Sequence, residues 1–105
     1  MSTLHATLIH NTVMDIIIGN KFTDGGIIID YSCYRGSLFQ SGRMKILSRG
    51  ATVDSPFHSW FGDDAGISDS LAADISGDNI RLNITVDNSD VNDVAFDYNK
   101  AIIKL

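Results

Sequence analysis

All thirteen acidic residues of this chain are aspartate, and glutamate does not occur. The chain has only eight Lys and Arg residues in total, so the polar residues that usually cover exposed helix faces are scarce. Isoleucine, in contrast, occurs fourteen times, and its stiff, branched side chain favours pleated strands. Asp, Asn and Gly supply tight turns. Together these features predict an all-β protein with short loops.

Size and charge exclude several classes of protein. The 105 residues, 44% of them hydrophobic, predict a single domain that spans residues 1–105. The net charge of -5 argues against nucleic-acid binding, which needs a basic surface. No apolar run has the length of a membrane span, and the first residues lack the basic and apolar regions of a secretory signal peptide. We therefore expect no nucleic-acid partner and no membrane partner.

Alternating apolar residues and turn signals divide the chain into seven or eight short strands. The clearest alternation lies in residues 80–86, where every second residue is Ile, Leu or Val. Turns are expected at 19–20, 24–26 and 77–79, and a hairpin loop at 87–93. This spacing is typical of an antiparallel β-sandwich or jelly-roll. The other expected strands are residues 4–10, 12–18, 27–34, 43–49, 57–61, 67–76 and 94–99, with 101–105 closing the chain.

Two strands carry isoleucine on both faces, which a two-layer sandwich does not bury by itself. Either a loop such as 57–61 covers the second face, or this face meets another subunit. The second alternative predicts a homo-oligomer. The residues expected at its apolar interface are Ile16, Ile17, Ile18, Ile27 and Ile29. Arg35 is expected at a bulge, where it pairs with an aspartate at the polar rim.

The sequence contains no pattern of a metal or catalytic site. The histidines lack zinc-binding spacing, and the single cysteine, Cys33, has no second cysteine for an internal disulfide. The acidic loop 87–93 lacks both the spacing and the glutamate of a calcium-binding loop. Neither a nucleophile elbow nor a phosphate-binding glycine loop occurs. We therefore expect no metal, no cofactor and no catalytic residue, and we predict that the protein is not an enzyme.

Pro56 cannot donate a ladder hydrogen bond, so residues 57–61 are expected on an edge strand or in a packed loop. This segment contains Phe57, Trp60 and Phe61. The three side chains either form a ligand patch that stacks on sugars or close the end of the sandwich. The ligand patch is the basis of an alternative function, the binding of a glycan or another molecule of a host surface.

Several short motifs follow one another between residues 27 and 99. The first is Ile29-Asp30-Tyr31-Ser32-Cys33-Tyr34-Arg35-Gly36, and residues 40–46 (QSGRMKI) come next. Gly66-Ile67, residues 77–80 and Phe96-Asp97-Tyr98 complete the series. In this order the motifs resemble small β-sandwich domains of bacteriophage virion proteins, although residues 1–26 and the Trp60 region have no counterpart. The resemblance implies a structural module, often trimeric, on tail fibres, other appendages or the capsid surface, and it implies no catalytic residue.

These observations predict a non-enzymatic structural protein of a phage particle. It is expected to act as a decoration protein or as a component of a tail fibre or appendage. It is expected to form a homo-oligomer, with a trimer favoured, and to dock on other virion proteins. Its expected location is the virion, after synthesis in the host cytoplasm.

Overall fold

The computed structural model describes residues 3–50, 52–67 and 71–105 as a sandwich of two antiparallel sheets. The larger sheet has the strand order β1-β8-β3-β4-β5, and the smaller has the order β2-β7-β6. The predicted all-β sandwich is confirmed. The strands are β1 (Leu4–Leu8), β2 (Thr12–Asn20), β3 (Asp24–Arg35), β4 (Leu38–Leu47), β5 (Phe57–Gly62), β6 (Leu71–Ser76), β7 (Asn79–Val86) and β8 (Val94–Lys104).

The core lies between the two sheets and follows from side-chain alternation. In β7 every second residue is buried, from Ile80 to Val86, as the sequence predicts. β3 contributes alternate residues in the same way, from Ile27 to Cys33. Successive side chains of a strand point to opposite faces of the sheet, so each of these strands presents one apolar face inward. The intervening residues therefore form the outer faces of the sandwich.

The turn between β2 and β3 lies later in the chain than predicted. Gly19 and Asn20 belong to β2, and a register shift separates Ile17 from Gly19. Asp24 is the first residue of β3 rather than part of a turn. Its carboxylate accepts hydrogen bonds from the Asn20 amide at 2.9 Å and the Thr23 hydroxyl at 3.0 Å. These two hydrogen bonds hold Asn20 and Thr23, the residues at the two ends of the turn, to Asp24. The chain therefore reverses direction at residues 21–23.

Several other bounds and connections differ from the sequence expectation, including the end of β1, which stops at Leu8 instead of residue 10. Residues 38–42 belong to β4, and β8 continues without interruption through the expected break at Lys100. Loop 87–93 is not a hairpin, because it crosses from β7 in the smaller sheet to β8 in the larger one. Of the expected strand 67–76, residues 71–76 form β6, and residues 68–70 lie outside the described residues.

The buried carboxylate of Asp24 makes the free energy of unfolding depend on pH in the acid range. Its hydrogen bonds with Asn20, Lys104 and Thr23 hold its pKa below the ordinary value of 3.8. A lowered pKa stabilises the fold above the unfolded pKa, and this contribution is lost as the pH falls through the folded value. At neutral pH we expect Asp24→Asn to lower the free energy of unfolding by about 1–2 kcal/mol. In urea titrations the difference from wild type should shrink below pH 3.8, whereas a constant difference would contradict this assignment.

Candidate functional site

Side chains on the outer face of the larger sheet fall into rows, because directly paired residues on neighbouring strands point to the same side. Two adjacent rows are largely polar and line one groove of about 540 Å³. We name it the polar groove. Across β8, β3, β4 and β5 its rows are Asp97, Ser32, Ser41 and Phe61, and then Asn99, Asp30, Arg43 and Ser59.

An ion pair between β3 and β4 occupies the middle of the polar groove. Arg43 Nε donates to Asp30 Oδ1 at 2.7 Å, and Arg43 Nη2 donates to Asp30 Oδ2 at 3.0 Å. The hydrogen bonds with Arg43 lower the pKa of the Asp30 carboxyl. Each side chain is 52% exposed, so solvent screens the pair and it adds little stability. The pair does fix the orientation of both groups at the surface.

Other polar groups lie in the same groove, and His5 contacts one of them from outside the lining. Ser32 Oγ lies 3.1 Å from Ser41 Oγ, and His5 Nδ1 lies 2.5 Å from Asp97 Oδ1 on the β1 side. Asn99 Oδ1 is buried and has no hydrogen-bond partner among the described residues. A buried acceptor without a partner is uncommon in folded proteins. The groove therefore contains both pre-oriented polar groups and one unused acceptor.

The next rows along the same face are mostly apolar. Ile28 pairs with Lys45, which pairs with Phe57, and Gly26 pairs with both Leu47 and Ile103. We name the surface formed by Ile28, Leu47, Phe57 and Ile103 the apolar patch. It encloses a depression of about 470 Å³, whose lining also includes the charged residues Lys45 and Asp54. Phe57 is 65% exposed and Ile103 is 60% exposed, so the patch is open to solvent.

The predicted aromatic ligand patch does not form one surface. β5 is an edge strand, as the proline position predicts, and its outer face carries Phe57 and Phe61. Phe57 lines the apolar patch, whereas Phe61 lines the polar groove. Trp60 pairs with Gly42 and therefore shares the inward side with Tyr31. It is 39% exposed and, like Phe61, it lines the polar groove.

The predicted interface residues lie in three different environments. Ile18, Ile27 and Ile29 are fully buried in the core of the chain, and Ile16 packs partly buried against them. Ile17 is 59% exposed on the smaller sheet. This placement corrects the expectation of one shared apolar face, because alternation turns Ile27 and Ile29 inward and only Ile28 outward. An interface between subunits remains a prediction.

Arg35 has a different position from the predicted interface rim. Its side chain is completely buried and donates to carbonyl oxygens of two loops, residues 63–67 after β5 and residues 87–93 after β7. Arg35 Nη1 also donates to Asp87 Oδ1 at 2.8 Å. The carbonyl acceptors are Asn92 at 3.0 Å, Ala65 at 3.0 Å, Asp87 at 2.8 Å and Asp90 at 2.7 Å. Arg35 therefore holds the two loops to the end of β3.

The tyrosine, histidine and cysteine side chains of the interior are buried or hydrogen-bonded within the fold. Tyr31 OH lies 2.6 Å from His58 Nε2 and accepts a hydrogen bond from Gln40 Nε2 at 2.8 Å. Burial lowers the pKa of His58 and raises the pKa of the Cys33 thiol to about 11, so this thiol is protonated at neutral pH. Within residues 3–50, 52–67 and 71–105, no three His, Cys or Asp side chains group as metal ligands. The same ranges contain no helix that is long and apolar enough to cross a membrane.

The fold of this chain has a counterpart in a solved phage structure. The sequence matches no family model, and no curated protein matches it. The structure is similar to the tailspike protein of the Acinetobacter phage vB_ApiP_P1, with a TM-score of 0.54 and 9% sequence identity. The similarity covers 98% of this chain but only 22% of the tailspike chain. At this identity it establishes a shared fold, so the chain has the fold of a segment of a phage tailspike.

Proposed function

We propose that this chain is a non-enzymatic structural module of a phage particle, either a decoration protein or part of a tail fibre or appendage. The observation that carries the proposal is the apolar patch. It lies on a sheet of a fold that also occurs within a phage tailspike. In this proposal the protein acts by self-association, with a trimer favoured, and by docking on a larger virion assembly.

The composition of the apolar patch supports contact with a second copy of the chain. Contiguous exposed apolar surface on a small domain usually marks an interface. Its charged members have opposite signs, and Lys45 makes no ion pair with the other described residues. The Asp54 carboxylate is 52% exposed and lies 3.3 Å from the guanidinium group of Arg49. A facing copy therefore offers an acidic partner for Lys45 while it buries Phe57 and Leu47.

Burial of surface, rather than a reaction, is the proposed mechanism. The apolar side chains supply the free energy of association, at about 25 cal/mol for each Å² removed from water. The charged residues at the patch fix the orientation of the partners. Because the association is mainly apolar, it is expected to persist at high salt, which screens exposed charges.

The mass of the protein in solution tests this proposal. By light scattering on a sizing column we expect wild type to be a closed oligomer that resists salt. Phe57→Asp places a charge in the apolar patch and is expected to give monomers. Phe22→Asp is the matched control, because Phe22 is also 65% exposed but does not line the patch. It is expected to leave the mass unchanged.

Two results would count against self-association through this surface. The first is a wild-type monomer at every accessible concentration. The second is an equal loss of mass in Phe57→Asp and Phe22→Asp, which would indicate a general effect of the added charge. Thermal unfolding of both variants shows whether either has lost its fold.

A further inference from the structure

We propose that the polar groove binds a neutral carbohydrate, with Asp30 and Arg43 as its central contacts and Phe61 as its stacking wall. This inference is independent of the self-association proposed above. It rests on the arrangement of donors, acceptors and aromatic surface in the groove. The groove volume of about 540 Å³ lies within the range of about 300–1,000 Å³ that small-molecule sites occupy.

The ion pair presents donors and acceptors side by side. A guanidinium group has five N–H donors, and Arg43 uses its Nε and Nη2 toward Asp30. Nη1 takes no part in this pair and is able to donate to a ligand, and each Asp30 oxygen has lone pairs to accept further hydrogen bonds. A sugar hydroxyl both donates and accepts hydrogen bonds, so adjacent hydroxyls can bind Arg43 and Asp30 together. Because the pair is already held in a fixed orientation, binding loses little side-chain entropy.

The remaining lining residues extend the same chemistry across the sheet. Ser32, Ser41 and Ser59 contribute hydroxyl groups. The unpartnered Asn99 Oδ1 is an acceptor that gains a hydrogen bond if its amide turns toward an entering hydroxyl. Neighbouring strands lie about 4.8 Å apart, so the polar rows from β8 to β5 extend over more than one sugar ring. Phe61 is 67% exposed at the β5 end and offers an apolar face for a ring.

The charges of the groove favour a neutral ligand over an anion. The positive charge of Arg43 is balanced by Asp30, and Asp97 adds a further carboxylate. His5, which contacts Asp97, carries a positive charge only when it is protonated. A phosphate or sulfate group would therefore enter a site with no excess positive charge. A sugar with uncharged hydroxyls fits both the donors and the acceptors.

Nuclear magnetic resonance of the labelled wild-type protein tests the proposal. The probes are lactose, maltotriose, cellotriose and chitotriose, with inorganic phosphate as the anion control. We expect at least one sugar to shift the backbone amides of residues 30–32, 41–43 and 97–99, and phosphate to leave them unchanged. Arg43→Met is expected to weaken binding of that sugar about tenfold, because it removes charged hydrogen bonds.

The smaller sheet provides a matched control variant. Arg81 forms a similar bidentate pair with Asp74, at 2.9 and 2.7 Å, on the outer face of that sheet. Arg81→Met is therefore expected to leave sugar binding at the wild-type level. The proposal is overturned if none of the four sugars shifts the groove amides at millimolar concentration, or if both variants weaken binding equally. Shifts that follow protein concentration instead of sugar would assign the groove to a second copy, and would also overturn it.

Discussion

Arg35→Met is expected to lower the free energy of unfolding by about 3–5 kcal/mol, because several backbone carbonyl oxygens lose a buried charged donor at once. The side chain is fully buried and donates five hydrogen bonds, four of them to backbone carbonyl oxygens. Methionine fills much of the space but donates none of these bonds. The carbonyl groups of two loops then lose their partner. Urea unfolding followed by circular dichroism measures the change.

Arg43→Met is the control for this experiment. It makes the same substitution in an arginine that is 52% exposed and paired with Asp30. Solvent replaces the lost hydrogen bonds there, so the unfolding midpoint is expected to stay close to wild type. Equal midpoints for the two variants would show that Arg35 does not hold the loops. Hydrogen exchange should locate the Arg35→Met effect in residues 63–67 and 87–92.

Gly66→Ala is expected to have a comparably large effect, of about 3–5 kcal/mol, because it displaces the buried Arg35 side chain from its hydrogen-bond acceptors. Gly66 has a φ of +80°, and a Cβ atom at this position would overlap both Asp87 Oδ1 and Arg35 Nη1. The Gly66 carbonyl also accepts the Asp87 amide at 3.0 Å. The backbone therefore passes so close to the ion pair that a side chain cannot be added without moving one partner. The free energy of unfolding from urea titration is again the measurement.

Gly77→Ala separates this steric effect from backbone strain. Gly77 also has a positive φ, of +60°, but a Cβ atom there meets nothing within 4 Å. Alanine in the left-handed region costs about 1–2 kcal/mol, and this cost is common to both variants. The excess loss in Gly66→Ala therefore measures the displacement of Arg35 and Asp87. If the two variants lose the same free energy, the close approach at Gly66 has no energetic consequence.

Local sequence patterns predicted the strands, because strand formation depends largely on residues that are close together in the sequence. The alternation from Ile80 to Val86 corresponds to β7, and Pro56 precedes an edge strand. Turn positions were less accurate. Gly19-Asn20 has the composition of a turn, but Asp24 binds the Asn20 amide and moves the reversal along the chain. That contact requires the folded turn and is not a property of the two residues.

The candidate surfaces were only partly predictable. The aromatic residues of 57–61 do lie on an exposed strand, and the sequence singled them out for this reason. Their division between the polar groove and the apolar patch depends on which residues of β4 they face. The Asp30–Arg43 pair and Asn99 had no sequence signal, since exposed polar residues on a strand are ordinary. Their juxtaposition follows from the register of β3 with β4 and β8.

Local residue preferences are sufficient to specify the class of structure. A chain without glutamate, rich in isoleucine and divided by Asp, Asn and Gly, forms strands and turns because these preferences act over a few residues. The packing of the two sheets, in contrast, makes Arg35 an internal loop anchor and places Ile27 and Ile29 in the core. It also places Ile28 at the apolar patch. These outcomes depend on pairing between strands that are distant in sequence, and a shift of one residue in register would exchange the two faces of each strand.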